Sequence, residues 1–167
     1  MSLSEDEIVA LAAELGRRLA SRRALVTAAE SCTGGLVAGA ITSIPGSSGW
    51  FQRGFVTYSN EAKTEMLGVP AETLARHGAV SEETARSMAE GALRAGRANY
   101  AVAITGVAGP DGGTPAKPVG MVCFGWAALD GSTTSTTKRL PGDRAAVRHA
   151  SVIVALQGII DKIGPEQ

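Results

Sequence analysis

Apolar residues recur along the chain at two spacings, and the switches between them mark out the elements. Ile8, Leu11, Ala12, Leu15 and Leu19 share one helical face behind Ser4 and Glu7, a capping-box pair, so a first amphipathic helix is expected. Ala24-Leu25-Val26 is a short, continuous apolar run of the kind a buried strand makes. Helical spacing resumes at Leu36, Val37, Ala40, Ile41 and Ile44 and has to stop at Pro45-Gly46. Residues 54–58 predict a second strand, and a short helix capped by Ser59 or Asn60 follows, ending at Leu67-Gly68. Pro70 opens another short helix that closes at Gly78, and Ser81 caps a longer one that buries Ala85, Met88, Ala89, Ala92 and Leu93. Residues 99–105 predict a central strand. Residues 119–128 and 132–138 flank Asp130-Gly131, a hairpin signal, so part of the sheet is antiparallel. Asp143 caps a final helix through Val147, Ala150, Ile153, Val154 and Ile160. Strands alternating with helices and closing on a hairpin predict a layered α/β fold with a mixed parallel/antiparallel sheet.

Composition narrows the classes. A chain of 167 residues that is 44% hydrophobic fits one globular domain over residues 1–167. Lys plus Arg and Asp plus Glu are both 16, so no net positive field favours a phosphate backbone, and nucleic acid is not an expected partner. Cys32 and Cys123 form no disulfide framework, and with only His77 and His149 beside them no metal site is expected. No apolar run approaches a membrane span and no basic-then-apolar leader opens the chain, so a cytoplasmic protein without membrane contact is expected. Trp50 and Phe51 follow the loop at residues 46–49, where a lid, a subunit contact in a homo-oligomer and a core anchor all fit the pattern.

The chemistry concentrates at Thr27-Ala-Ala-Glu-Ser-Cys-Thr-Gly-Gly35, which joins the first apolar run to the second helix. Ser31 is thereby expected at a strand-to-helix turn. The amides of Thr33, Gly34 and Gly35 are expected among the unpaired donors that open the helix, where an oxyanion can be held. Equally, Ser31 or Thr33 serves there as a plain N-cap. Lys63 falls in the first turn of its helix, where the dipole disfavours a cation and favours the neutral amine if water is excluded; a solvent-facing lysine is the alternative. Ser31, Tyr58 and Thr105 all sit at or just beyond the C-terminal ends of predicted strands, the edge at which open α/β sheets collect ligands. After Thr105 the chain enters Gly106-Val-Ala-Gly109-Pro110-Asp111-Gly112-Gly113, with four glycines in eight residues. That density suits either a ligand loop or a surface turn; it lacks the ending of a P-loop and precedes no helix, so neither nucleotide fingerprint applies. Arg144 and Arg148, one turn apart, fit a phosphate clamp or a solvated helix face. A serine nucleophile needs a base, neither histidine is placed to supply it, and a neutral lysine can. The residues therefore reach a candidate Ser-Lys hydrolase.

The same stretch, together with Gly54-Phe-Val-Thr-Tyr-Ser-Asn-Glu-Ala-Lys63, His77-Gly-Ala-Val-Ser81, residues 106–113, Lys117-Pro-Val-Gly120 and Gly142-Asp-Arg144, closely resembles the CinA C-terminal domain family. The resemblance implies a three-layer α/β/α domain and, as in stand-alone members, amidohydrolase activity on nicotinamide mononucleotide, giving nicotinic acid mononucleotide and ammonia. It further implies that Ser31 attacks the carboxamide, Lys63 carries the proton and the amides from Thr33 to Gly35 hold the oxyanion. Tyr58 would relay or orient the proton. Thr105 and the loop with Gly106, Gly109, Asp111 and Gly112 would surround a pyridine nucleotide, with Arg144 on its phosphate. No cofactor is required. The pyrophosphatase-like domain of longer relatives has no room in this chain, so its activity is not expected. A different class of function also fits the fold: a regulatory module that binds a nucleotide or a protein without turnover.

Overall fold

A computed structural model describes residues 3–166. Helix α1 (Leu3–Arg22) precedes strand β1 (Val26–Glu30) and helix α2 (Leu36–Thr42), and a single 3-10 turn (Ser47–Gly49) leads to the two-residue strand β2 (Phe55–Val56). Helices α3 (Asn60–Leu67), α4 (Ala71–His77) and α5 (Glu82–Gly96) follow in succession. Strands β3 (Tyr100–Gly106), β4 (Met121–Ala128) and β5 (Thr133–Arg139) complete the sheet before helix α6 (Arg144–Ile163).

The sheet has the order β2-β1-β3-β4-β5. β1 lies parallel to both β2 and β3, whereas β3–β4 and β4–β5 are antiparallel. The alternation of side chains along β1, β3 and β4 divides the core into two. Val26, Ala28, Val102, Ile104, Phe124 and their neighbours pack with α1, α2 and α6, and Trp126 Nε1 donates to the Ala155 carbonyl of α6. On the other face, Ala29, Ala101, Ala103 and Ala127 meet Leu67, Met88, Ala89 and Ala92 of α3 and α5. Helices on both faces make the three-layer α/β/α architecture.

The small side chains of the second face let helix and sheet approach closely. A Cβ at Gly125 would collide with the Ala85 carbonyl of α5, and one at Gly91 would collide with the Leu67 carbonyl at the end of α3. Gly91 thus fixes how α3 sits on α5.

Most caps follow the sequence. Ser59, Ser81 and Asp143 each accept an amide hydrogen bond at the start of α3, α5 and α6, and Gly68 ends α3 in the left-handed region. Two expectations are corrected. Ser4 lies inside α1 instead of capping it. Strand β1 begins where the apolar run ends and continues through Thr27-Ala-Ala-Glu30, because both of its edges are paired and the polar Thr27 finds a partner in the Arg53 carbonyl. Of the alternatives open for Trp50 and Phe51, the core anchor is the one the packing supports, since both lie against the larger core.

Candidate active site

Ser31 follows β1 directly, and its amide still donates to the Ile104 carbonyl at 2.9 Å, so the sheet holds its backbone. Beyond it the chain turns tightly: the Gly34 amide donates to the Ser31 carbonyl at 3.0 Å and the Leu36 amide to the Thr33 carbonyl at 3.0 Å. Gly34 and Gly35 both take positive φ, 56° and 109°, which L side chains adopt only under strain. The turn therefore needs these glycines for its shape.

Helix α2 begins at Leu36, later than the sequence suggested, and its leading amides are already taken. The Glu30 carboxylate, 1% exposed, accepts from Val37 at 2.9 Å and from Ala38 at 3.0 Å. A buried carboxylate needs such partners, and a helix N-terminus supplies both donors and a favourable dipole. Of the three amides expected to be open, Gly34 is spent within the turn. Those of Thr33 and Gly35 make no hydrogen bond among the described residues. The Thr33 hydroxyl, fully buried, also has no hydrogen-bond partner among the described residues.

Lys63 enters from α3, one turn after the Ser59 cap. Its Nζ lies 3.0 Å from Ser31 Oγ and donates to the Thr57 carbonyl at 2.8 Å. Lys63 is 1% exposed and Ser31 8%, and among the described residues no carboxylate lies in ion-pair range of the amine. Burial without a counterion pushes the Lys63 pKa below its ordinary value, because desolvation penalises the charged form; the neighbouring Cys32 opposes this weakly. The solvent-facing alternative for Lys63 is excluded by this burial. Desolvation acts the other way on the Cys32 thiol, which is pushed up to about 11 and kept protonated. Although a thiol is by chemistry a rival nucleophile, it is Ser31 that has a base, Lys63, within hydrogen-bond reach.

A second group of predicted residues gathers beside this pair. Tyr58 is 62% exposed and its hydroxyl accepts from Arg144 Nη2 at 3.1 Å, so its partner is Arg144 and not Lys63. Arg144 Nη1 donates to the Gly109 carbonyl at 2.8 Å, tying the glycine loop to the start of α6. Gly109 is buried against Val119, while Asp111 and Gly112 are exposed at the outer end of the loop. Thr105 is buried and gives its hydroxyl proton to the Ala79 carbonyl at 2.8 Å, and Gly106 ends β3 opposite Val122. A groove of about 670 Å³ runs between Pro110, Val119, Gly142, Arg144 and Arg148.

Three residues were missed in the sequence. Glu30 could have been noticed as a lone charge closing a buried strand. Thr57 contributes its carbonyl, which no side-chain pattern reveals. Arg148 was read as half of a solvated or phosphate-binding pair, yet its Nε donates to the Cys32 carbonyl at 3.1 Å and its Nη2 lies 3.4 Å from the Thr33 carbonyl.

Comparison with known proteins agrees with this architecture. A solved structure of competence/damage inducible protein CihA from Agrobacterium tumefaciens superposes with a TM-score of 0.93 at 48% identity, covering 96% of this chain and 98% of that one. Nicotinamide-nucleotide amidohydrolase PncC of Escherichia coli K12 is 55% identical over 155 residues, 93% of this chain and 94% of that protein. PncC of Pseudomonas putida is 52% identical over 96% of this chain and 99% of its own length. A longer CinA-like protein of Mycolicibacterium gilvum is 52% identical over 93% of this chain but only 35% of itself. The sequence model of the CinA C-terminal domain matches residues 8–163, a span from α1 to the end of α6 that includes Ser31 and Lys63. This chain belongs to the CinA C-terminal domain family.

Proposed function

We propose that the protein is an amidohydrolase that converts nicotinamide mononucleotide and water to nicotinic acid mononucleotide and ammonia by Ser-Lys acyl transfer. The observation that carries the reading is the buried Lys63 amine 3.0 Å from the Ser31 hydroxyl, with no carboxylate to hold its charge among the described residues. Support for the substrate comes from the two PncC relatives, whose identity to this chain exceeds half over nearly its whole length.

The step begins with neutral Lys63 taking the Ser31 proton as Oγ bonds to the carboxamide carbon. The carbonyl oxygen becomes an oxyanion, held by the free amides of Thr33 and Gly35. Collapse breaks the C–N bond, and the Lys63 proton leaves with ammonia. Lys63 then takes a proton from water as its oxygen attacks the acyl-serine ester; collapse breaks the ester C–O bond, Lys63 returns that proton to Ser31 Oγ, and the acid product loses its own proton to solvent to become the carboxylate. Arg144 binds the substrate phosphate, Thr105 and residues 106–113 enclose the nucleotide, and Tyr58 steadies Arg144 through its hydroxyl. No cofactor takes part in these steps.

Ammonia release from the mononucleotide by purified protein tests the activity, and the Ser31→Ala variant tests the assignment. The variant should fold, losing no more than a hydroxyl, and should release no ammonia above background. Turnover by Ser31→Ala would move the nucleophile elsewhere, and absence of turnover by the wild type would sink the enzymatic reading altogether.

A further inference from the structure

We infer that Arg148 is a positioning residue that aims the Thr33 amide at the reacting carbonyl oxygen. The inference rests on the Ser31-Lys63 reading above.

The argument starts from the peptide unit. A trans peptide is planar, so its C=O and the following N–H point in opposite directions. Arg148 Nε grips the Cys32 carbonyl at 3.1 Å, and the peptide it belongs to is trans, so the Thr33 N–H is directed away from Arg148. Arg148 lies on α6, which covers the face of the sheet shared with α1 and α2. Lys63 lies on α3, which covers the opposite face with α5. Pointing away from Arg148 therefore means pointing toward the side from which Lys63 meets Ser31 Oγ, where the tetrahedral carbon forms. The next peptide is fixed in the same sense: its carbonyl, Thr33 O, accepts from Leu36 and lies 3.4 Å from Arg148 Nη2, and its amide, Gly34 N, is spent on the Ser31 carbonyl. The Thr33 amide is thus a free donor whose direction is set from outside the turn.

Such fixation is necessary at this place. Gly34 and Gly35 follow immediately, and glycine permits the backbone rotations by which the turn could swing its amides out of line. A guanidinium suits the task better than an ammonium, since its rigid fork can hold two neighbouring carbonyls at once. Arg148 differs in this from Arg144, which is exposed and reaches the glycine loop.

The test separates positioning from phosphate binding and from plain stability. Wild type, Arg148→Lys and Arg148→Gln are compared for kcat and KM with nicotinamide mononucleotide and with its riboside, and for thermal midpoint. Mononucleotide affinity is measured by calorimetry with Arg148→Gln placed on a Ser31→Ala background. Losing one oxyanion donor in a comparable site costs about 10²- to 10³-fold in kcat, so Arg148→Gln should lose on the order of 10²-fold in kcat with affinity nearly unchanged. Arg148→Lys, able to reach only one carbonyl, should fall between Gln and wild type. The preference for mononucleotide over riboside should be the same in all three. Weakened affinity with kcat retained would make Arg148 a phosphate ligand and overturn the inference. A lowered midpoint with kcat of the folded enzyme unchanged would make it a structural bond and overturn it as well. Failure of the underlying reading shows separately, as turnover in the Ser31→Ala control.

Discussion

Replacing Lys63 by methionine, which keeps the buried length of the side chain but carries no charge and no proton, yields two readings from one substitution. For activity, general-base catalysis is worth about 10²- to 10⁴-fold, and Lys63→Met should lose at least that much in kcat. Lys63→Arg should fare no better, because a guanidinium keeps its proton at every accessible pH. For stability, the sign follows from the direction of the pKa shift. Burial lowers the folded-state pKa of Lys63 beneath the ~10.4 of an unfolded lysine, so between those two values the unfolded chain binds a proton that the folded chain does not. Stability conferred at this position is complete above the unfolded value and is lost as pH falls through the folded one. Across that window the wild type should gain up to about 1.4 kcal/mol per pH unit relative to Lys63→Met, which has nothing to titrate. A constant offset lies on top of this: methionine leaves the Thr57 carbonyl without its 2.8 Å donor, a cost of about 1–3 kcal/mol that does not vary with pH. Urea unfolding of both proteins at pH steps from the acid side up to the ~10.4 of a free lysine measures the slope free of the offset. The kcat/KM of the wild type should rise tenfold per pH unit below the same folded-state pKa. A stability gap that stays flat with pH would mean that Lys63 is charged in the folded protein, and the base assignment would then fail.

Further outcomes are expected at neighbouring residues. Cys32→Ala should keep most of the activity, since the thiol is buried and pushed up to about 11; ammonia release falling to background would reassign the nucleophile. Arg144→Ala should raise KM for the mononucleotide and leave the riboside, a poorer substrate of the wild type, almost unaffected; equal efficiency of wild type on both substrates would remove the phosphate role. Glu30→Gln keeps one carbonyl oxygen but loses the second acceptor for the α2 amides, so chemical denaturation should show a loss of about 1–3 kcal/mol, and an unchanged midpoint would count against the buried-carboxylate account.

The layered fold was legible because its signals are local. Apolar spacing, the caps at Ser59, Ser81 and Asp143 and the Asp130-Gly131 turn each depend on a few adjacent residues, and apart from the shifted β1 and the lost Ser4 cap the elements formed close to where they pointed. The Ser31 and Lys63 pairing was legible for a coarser reason: both lie beyond the C-terminal ends of neighbouring parallel strands, which brings them to one edge whatever the details. Orientation was not legible. Helical spacing gave Arg144 and Arg148 equal standing, the resemblance singled out Arg144 alone, and the packing of α6 against the Ser31 turn is what gives Arg148 contacts of its own. Nor was it legible that the start of α2 is occupied by the Glu30 carboxylate, or that burial is the main cause of the lowered Lys63 pKa. Tyr58 illustrates the same limit, since a strand end places its backbone but leaves its hydroxyl free to choose Arg144.

The two faces of the sheet are unequal, and the chemistry spans both. The layer with α1, α2 and α6 is filled by large aliphatic and aromatic side chains, whereas the layer that carries Lys63 is filled mostly by alanine. Burial free energy scales with apolar area, so each residue of the alanine-rich layer contributes less toward keeping it docked. Its hold on Lys63 passes through α3, which is preceded by a strand of only two residues. Catalysis is therefore tied to the weaker half of the molecule, and rising temperature should silence the enzyme by lifting α3 from the sheet while α1, α2 and α6 remain in place. Ammonia release should therefore fade at a lower temperature than the midpoint of global unfolding, and coincident loss of activity and of circular dichroism on heating would refute this.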